Sequence, residues 1–523
     1  MINWNNFDTL NSYKKLLSLN CKVELAKVLN PQRVKSCSVP MAKGLVYNYA
    51  AKQVNEQILS VLQELADEQQ LIEKYQLLLN GEVINTGEKR KVLHHLARGQ
   101  LGTEVIHEGR NLGTFYSEQL KKIESFVKKV HAGEITGAKG DKFSSIVQIG
   151  IGGSDLGPRA LYLALDNWAV KNNRKLLNAS FISNVDPDDA FAVLGGTELA
   201  KTLFILVSKS GTTQETLANE SLVKQALVDA GLDPSKHMVA VTSETSPLAK
   251  NDGYLASFFM DDFIGGRYSS SSPVGGVALS LAFGFNTFNE FLQGAHEADA
   301  LSLEKSIMKN PALLDALIGV YERNILGYPV TAILPYSQAL SRFPAHLQQA
   351  DMESNGKQVN RRGEPISYAT GPVLFGEPGT NGQHSFYQLL HQGTDIIPLQ
   401  FIGFTRSQTG FDVEVDGSTS QKKLCANLVA QIVAFATGKS DTDTNKNFPG
   451  ERPSSVIKGT ELSPEVLGSL LAHYENKIMF QGFVWNINSF DQEGVQLGKV
   501  LTKKVLAGDM DPTLKAFSDF FEV

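Results

Sequence analysis

The sequence predicts an α/β protein built on parallel β-sheets, and two observations carry this prediction. Short apolar runs rich in Val, Ile and Phe each end in Gly, Ser, Asn or Asp, and helical stretches follow them. Strands that are apolar on both faces and alternate with helices are typical of a parallel sheet covered by helices on both sides. The predicted strands lie in 144–153, 179–187, 202–211, 237–244, 328–337 and 394–404.

The length of the chain indicates two domains. It has 523 residues and ordinary globular composition, with 42 % hydrophobic and 20 % charged residues. A single hydrophobic core rarely grows beyond about 250–300 residues.

The segments outside the predicted strands have patterns of their own. The first 110 residues are predicted to be mostly helical, with one helical stretch that ends at Gly81. The apolar stretch 273–292 contains Ser, Asn and Glu and is interpreted as a buried core helix rather than a membrane span. The polar segment 439–460 is predicted to be a long surface loop, and the C-terminus to form an amphipathic helix.

Charge and cysteine content argue against several classes of function. The net charge is −6 and no long basic run occurs, so binding to nucleic acid or to an anionic membrane is not expected. The three cysteines, Cys21, Cys37 and Cys425, are scattered and form no CxxC motif. A disulfide framework or cysteine zinc site is therefore not expected, and a reducing cytoplasm fits. The N-terminus lacks the pattern of a signal peptide.

The stretch LFILVSKSGTTQET (203–216) places hydroxyls, a lysine and a glycine directly after an apolar run. In open parallel sheets, ligands bind beyond the carboxyl ends of the strands. A glycine-containing turn that enters a helix offers free N–H groups and the positive end of the helix dipole to an anion. The stretch therefore indicates a phosphate monoester held mostly by neutral donors. Taken alone, it fits a solvated helix cap equally well.

A second glycine-rich turn, VQIGIGGSDLGP (147–158), follows an earlier predicted strand. It has Gly150, Gly152 and Gly153 before Ser154 and Asp155. The pattern is similar to a dinucleotide-binding fingerprint, but Asp155 stands where GxGxxG requires its last glycine. A nicotinamide-dependent dehydrogenase is therefore a weak alternative, which a lack of absorbance change with the nicotinamide alone would exclude.

Three further segments offer charged candidates. Arg267 follows two glycines in FIGGRYSSSSPVGG (263–276) and can serve as a fixed positive charge beside a developing oxyanion, although a surface ion pair is the common role of a lone arginine. In QQADMESNGK (348–357), Asp351 and Glu353 are either a general base or solvated helix-end carboxylates. The segment FDQEGVQLGK (490–499) ends in Lys499.

The histidines do not predict a metal site. His384 and His391 lie seven positions apart, which on a helix is two turns, or about 10 Å along the axis. His94 and His95 are adjacent, so their side chains diverge by about 100°. Neither pair has the spacing at which two imidazoles converge on one ion.

Taken together, these segments resemble the glucose-6-phosphate isomerase family, also called phosphoglucose isomerase. The resemblance runs from NTGEKRKVLHHLARG (85–99) to FDQEGVQLGK, and FIGGRYSSSSPVGG and FDQEGVQLGK are similar to the two diagnostic segments of the family. Two departures occur. Gln496 stands where members commonly have Glu, which leaves the orientation of Lys499 open, and Ser210-Gly211 stands where many animal members have Thr-Phe.

The resemblance implies interconversion of glucose 6-phosphate and fructose 6-phosphate by ring opening and proton transfer through a cis-enediol, without metal or redox cofactor. Glu353 matches the base and Arg267 the arginine that stabilises the enediolate. His384 and Lys499 match the ring-opening residues, whose division of labour stays open, and His391 is expected to be structural. The implied substrate-binding residues are Gly153, Ser154, Ser208, Lys209, Ser210, Thr213, Thr216, Gln349 and Gln492.

The resemblance also implies an architecture and an oligomer. We expect two sugar-isomerase-type (SIS) αβα domains with mostly parallel sheets. The smaller would span 115–285, and the larger would combine 1–114 with 286–523, including N-terminal helices and a C-terminal helical tail. Members are usually homodimers in which the histidine enters the neighbouring subunit's site, so His384 is expected to complete the partner's site.

Two other readings remain from the sequence. One is a non-catalytic sugar-phosphate-binding regulator of the same fold, which Glu353, Arg267, His384 and Lys499 argue against because such modules lose their acid–base residues. The other is an isomerase that also accepts mannose 6-phosphate. The sequence contains no signal for or against this activity, nor for a second, extracellular role.

Overall fold

The structure, a computed structural model, describes residues 2–19 and 22–523, so Cys21 lies outside the described residues. Most strands belong to two mainly parallel sheets, and four short ones form two small antiparallel hairpins. In chain order the strands are β1 (Ser38–Pro40), β2 (Val46–Asn48), β3 (Ile106–His107), β4 (Arg110–Asn111), β5 (Ser145–Ile149), β6 (Asn178–Ile182), β7 (Thr202–Val207), β8 (Met238–Ser243), β9 (Ser257–Met260), β10 (Val330–Tyr336), β11 (Val373–Phe375), β12 (Leu399–Phe404), β13 (Glu414–Val415), β14 (Ser418–Thr419) and β15 (Ser454–Gly459).

The α-helices flank the sheets and fill the space between them. They are α1 (Asn11–Ser18), α2 (Leu25–Val28), α3 (Pro31–Ser36), α4 (Glu56–Glu68), α5 (Leu71–Leu79), α6 (Leu112–Ala132), α7 (Leu156–Lys171), α8 (Pro187–Gly195), α9 (Gln214–Asp229), α10 (Pro273–Phe283), α11 (Phe285–Leu301), α12 (Pro311–Asn324), α13 (Phe343–Gln348), α14 (Tyr387–Gln392), α15 (Ser420–Thr437), α16 (Pro464–Val484), α17 (Gln496–Ala507) and α18 (Pro512–Phe521).

The first large sheet has the order β6-β5-β7-β8-β9, and all its neighbouring strands are parallel. Every residue of β7 and β8 is buried, as continuous apolar strands in a two-sided parallel sheet require. In the register of β5 with β7, Ile149 pairs with Leu206, so the two strands end side by side. The glycine-rich turn after β5 and the hydroxyl-rich stretch after β7 therefore leave the same edge of the sheet.

The second large sheet has the order β1-β2-β15-β12-β10-β11. Strands β15, β12, β10 and β11 run parallel, whereas β1 and β2 add to the sheet in antiparallel fashion. The α/β fold with two mostly parallel sheets is thus confirmed. The domain boundaries at 114/115 and 285/286 stay a prediction.

Two predictions about single segments are wrong. The segment 439–460 is not one long surface loop, because β15 occupies its end and pairs with both β12 and β2 inside the sheet. The strand is not recognised in the sequence because SSVIKG is rich in Ser, Lys and Gly. Its partners on both sides, β12 and β2, also come from distant parts of the chain. The stretch 273–292 is buried, but it forms two helices, because Gly284 adopts φ +84° between α10 and α11.

The expectation for the N-terminal region agrees only in part. Helices α1–α5 are present, but helical residues cover less than half of the first 110 residues, which also hold β1, β2 and β3. The helical C-terminus agrees with the structure as α17 and α18. Within residues 2–19 and 22–523, no helix combines the length and the apolar content that crossing a membrane requires. Cys37 and Cys425 are free thiols.

A buried charge cluster joins three helices of the protein. The guanidinium of Arg98 lies 3.1 Å from a carboxylate oxygen of Asp299 on α11 and also donates to Glu475 on α16. All three side chains are almost fully buried. Because an unpaired charge in such a place is costly, this cluster fixes how α11, α16 and the short helix His94–Arg98 pack.

Replacing Arg98 with Met should lower the free energy of unfolding by about 3–5 kcal/mol, since two buried carboxylates lose their cation. Urea denaturation followed by circular dichroism measures this. Arg110→Met is the matched control, because the Arg110–Glu244 pair is 45 % and 43 % exposed. It should cost at most about 1 kcal/mol. Equal losses in the two variants would contradict the assigned role of the buried cluster.

Candidate functional site

The hydroxyl-rich stretch forms a tight turn between β7, which ends at Val207, and α9, which begins at Gln214. Gly211 adopts φ +66°, and a Cβ added there would lie 2.1 Å from Ser246 Oγ. The turn therefore needs glycine for both its conformation and its packing. We call residues 208–216 the hydroxyl loop.

The hydroxyl loop presents unused hydrogen-bond donors. Across the described parts of the chain, no acceptor is found for the backbone N–H groups of Lys209, Ser210 and Thr213 or of 214–216 in the first turn of α9. Thr213, the N-cap residue, makes no side-chain capping bond, and the buried Thr216 Oγ1 has no hydrogen-bond partner. Unpaired N–H groups and the helix dipole together suit an anion.

The other hydroxyls order the loop itself. Ser208 Oγ donates to Thr213 Oγ1 at 3.2 Å and accepts from Gly211 N at 3.2 Å. Ser210 Oγ accepts from Thr212 N at 3.2 Å and from the Thr212 hydroxyl at 3.0 Å. These bonds hold the loop in a shape in which the N–H groups named above have no acceptor within the described residues.

The glycine-rich turn after β5 lies directly against the segment that carries Arg267. A Cβ on Gly153 would come within 2.1 Å of the carbonyl carbon of Gly266, and one on Gly152 would lie 3.2 Å from Gln349 Nε2. Glycine here allows two backbones to touch. The structure thus brings Gly153, Ser154, Gln349 and Arg267 together.

Arg267 is the most constrained residue of the site, with its side chain 1 % exposed. Its Nε donates to Ser354 Oγ at 2.7 Å, and its Nη2 donates to the carbonyls of Ser489 at 2.7 Å and Asp491 at 2.9 Å. The remaining nitrogen, Nη1, lies 3.6 Å from Glu353 Oε2. The guanidinium is therefore fixed on two sides and keeps one nitrogen for a ligand.

Glu353 ends a π-helical turn, Gln349–Glu353, that continues α13. Such turns are frequent at functional sites because they change which side chains face one way. The Glu353 side chain is 22 % exposed, so it reaches the cleft beside Arg267.

Asp351, the other carboxylate of this segment, is fully buried and faces a closed cavity that Lys477 also lines. Burial raises the pKa of the Asp351 carboxyl to about 6. Of the two carboxylates that the sequence offered, Glu353 is thus the one beside the guanidinium.

The remaining polar candidates lie around the same cleft. Gln349 Oε1 is buried without a hydrogen-bond partner. Gln492, Lys209 and Arg267 line one cavity next to the hydroxyl loop. An unpaired amide oxygen near a fixed guanidinium suits a polyhydroxylated ligand, whose hydroxyls donate and accept.

Within the one chain, His384 and Lys499 do not lie with Arg267 and Glu353. Both side chains are exposed, and in the part of the chain that the structure describes neither has a hydrogen bond or ion pair. His384 ends a short helix, Asn381–His384, and Lys499 lies on α17. His391, by contrast, stacks on Phe435 at 3.8 Å between ring centroids, and burial lowers its pKa, which fits a structural histidine.

Sequence reasoning missed the residues that hold Arg267. Ser354 directly follows Glu353 but carries no motif of its own, and Ser489 and Asp491 act through backbone carbonyls. No sequence signal could identify a carbonyl acceptor that depends on the tertiary fold.

Among the described residues, no group of three or more His, Cys, Asp and Glu has the geometry of a metal site.

Comparisons with known proteins agree on one family. A family model described as phosphoglucose isomerase matches residues 48–518. The chain is 64 % identical to a glucose-6-phosphate isomerase of Treponema denticola, over 99 % of each chain. It is 50 % identical to that of Borreliella afzelii, again over 99 % of each.

A search of solved structures adds the fold. The crystal structure of a glucose-6-phosphate isomerase from Chlamydia trachomatis matches with a TM-score of 0.93, 43 % identity and 99 % of each chain covered. With a family model over most of its length and relatives far above 30 % identity, the chain belongs to the phosphoglucose isomerase family.

Proposed function

We propose that this protein interconverts glucose 6-phosphate and fructose 6-phosphate, with Glu353 as the base that moves the proton between C2 and C1. The observation that carries the proposal is the pair formed by Glu353 Oε2 and Arg267 Nη1, 3.6 Å apart, beside a loop of unpaired N–H donors. In this proposal the reaction serves glycolysis and gluconeogenesis in the cytoplasm.

The hydroxyl loop would hold the phosphate. Ser208, Ser210, Thr213 and Thr216 would supply hydroxyls, and Lys209 its backbone N–H. Gly153, Ser154, Gln349 and Gln492 would contact the sugar. Binding energy from a phosphate remote from the reacting carbons can be used to position them.

The proton transfer would occur at the Glu353–Arg267 pair. Glu353 takes the C2 proton, and negative charge develops on the enediolate oxygens. Arg267 Nη1 makes no hydrogen bond in the described structure, so it can donate to such an oxygen without leaving its other partners. A fixed donor aimed at developing charge is usually the largest catalytic contribution. Neither ring opening nor proton transfer needs an electron carrier, so the proposed reaction requires no cofactor.

A non-catalytic regulator would need only the phosphate loop. Its site has no use for a carboxylate held next to a guanidinium, since a sugar phosphate brings negative charge of its own. The Glu353–Arg267 geometry therefore favours the enzyme over the regulator.

The ring-opening residues His384 and Lys499 would act with a second copy of the chain. Large apolar side chains are exposed in the segments around and beyond them, as expected for surfaces that another subunit covers. These include Leu389, Phe411, Leu497, Phe517, Phe520 and Phe521, which are between 52 % and 82 % exposed. We infer a homodimer in which His384 completes the partner's site.

Glu353→Gln should lower kcat by about 100-fold or more, because the amide keeps the size of the side chain but cannot accept the proton. The conversion of fructose 6-phosphate to glucose 6-phosphate, coupled to a dehydrogenase, measures this. Glu134→Gln, at an exposed glutamate near the end of α6, is the control and should keep full activity. A wild type that binds the sugar phosphate without turnover would favour the regulator.

Thr216→Val should raise KM for fructose 6-phosphate about 10-fold or more, since a hydrogen bond to a charged group contributes about 1.5–3 kcal/mol. Valine has the shape of threonine, so packing is preserved. The same coupled assay measures KM. Ser221→Ala on the exposed side of α9 is the control, because its hydroxyl already donates to Leu217 O. An unchanged KM in Thr216→Val would argue against a phosphate contact.

Mixing two inactive variants tests the dimer. In a hybrid of Glu353→Gln with His384→Ala, one site joins an intact Glu353 to the partner's intact His384, and the other site has neither. Co-expression in equal amounts should therefore restore about a quarter of wild-type activity, because half the dimers are hybrids with one working site. If His384 acts within its own chain, no hybrid has a complete site and activity stays at the level of the single variants.

A further inference from the structure

The side chain of Lys209 does not extend toward the phosphate donors of its own loop. Its Nζ donates to the carbonyl of Ile264 at 3.3 Å, three residues before Arg267. It also lines the cavity formed with Asp262, Gly265 and Arg267. The loop hydrogen bonds involve Ser208, Ser210, Gly211, Thr212 and Thr213, and the Lys209 ammonium takes part in none of them.

The environment of the ammonium supports this placement. Burial lowers the pKa of Lys209, while the nearby Asp262 carboxylate acts in the opposite direction. Arg90, Glu88 and Asp261 are the other charged groups that face it. Arg90 Nη2 lies 3.7 Å from Asp262 Oδ2, so the carboxylate nearest to Lys209 is itself held by a residue of the N-terminal segment.

The Ile264–Arg267 turn is where the other parts of the site meet. Gly266 touches the backbone of Gly153, and Arg267 is tied to Ser354 next to Glu353. Apart from Lys209, the hydroxyl loop has no hydrogen bond to this turn among the described residues. Among the described residues, the Lys209–Ile264 bond is therefore the direct hydrogen bond through which the position of the loop can affect the position of Arg267.

We propose that Lys209 is a positioning residue that couples the phosphate-binding loop to the turn carrying Arg267, while its ammonium contributes nothing to phosphate affinity. The loop binds phosphate through its N–H groups and hydroxyls. The Lys209 bond then holds the Arg267 turn at the distance at which Nη1 and Glu353 face the sugar. This inference rests on the proposed function.

Lys209→Met tests the coupling, because methionine keeps an unbranched apolar stem and removes the donor. We expect kcat for fructose 6-phosphate to fall about 10-fold or more, since small misplacements of reacting groups cost up to about 100-fold. The inhibition constant of inorganic phosphate, measured as a competitive inhibitor, should change less than about 2-fold. Lys209→Arg keeps a cationic donor and should recover part of the lost kcat.

Lys91→Met is the matched control. Lys91 lines the same cavity, but its ammonium donates to the carbonyl of Gly81, away from the loop. It should change neither kcat nor phosphate inhibition by more than about 2-fold. Circular dichroism verifies folding, and Lys209→Gln is the second variant if Lys209→Met does not fold.

Two results would overturn the proposal. A rise of about 10-fold or more in the phosphate inhibition constant, with or without a fall in kcat, would make the ammonium a phosphate ligand. Unchanged kcat and unchanged phosphate inhibition would remove any role in coupling. Failure of the proposed function is a separate result, because the wild-type protein itself would then show no isomerisation.

Discussion

The buried guanidinium of Arg267 is the constraint on which the rest of the site depends. A charged group with 1 % exposure is costly unless most of its donors are hydrogen-bonded and an opposite charge lies near it. The chain meets this requirement with Ser354 Oγ and with the carbonyls of Ser489 and Asp491. These acceptors come from two distant segments, so satisfying one side chain fixes the π-helical turn of Glu353, the segment before α17 and the glycine turn that carries Arg267. The nitrogen left over, Nη1, is the one that faces Glu353.

A close backbone contact between two glycines positions the turn that follows β5 against the turn that carries Arg267. Gly153 touches Gly266 so tightly that even a methyl group would overlap the carbonyl. The two turns beyond β5 and β7 are held side by side by the strand register that pairs Ile149 with Leu206. The first sheet therefore sets where the unpaired N–H groups of the hydroxyl loop lie, and the glycine contact helps to set their distance from Arg267.

The candidate site residues of one chain fall into two groups. Glu353, Arg267 and the hydroxyl loop are held by buried contacts, whereas His384 and Lys499 are exposed and unpaired in the described structure. The physical difference is that the first group is held by buried contacts, whereas the second lies at the exposed surface of the described chain. Large Phe and Leu side chains are also exposed in the same regions, which supports the proposed homodimer.

The sequence by itself determined the α/β class, because continuous strands such as β7 can be recognised as local runs of apolar residues. It also indicated the family, since six motifs occur in the family's order, and through that resemblance it named the candidate reacting side chains. It could not reveal β15, whose polar residues are stabilised only by neighbours on both sides in the sheet. The pattern of QQADMESNGK by itself left Glu353 and Asp351 as equal candidates, and nothing in the sequence indicated that Ser354, Ser489 and Asp491 hold Arg267. Those assignments depend on which side chains and carbonyls meet across long sequence separations, and only tertiary packing decides that.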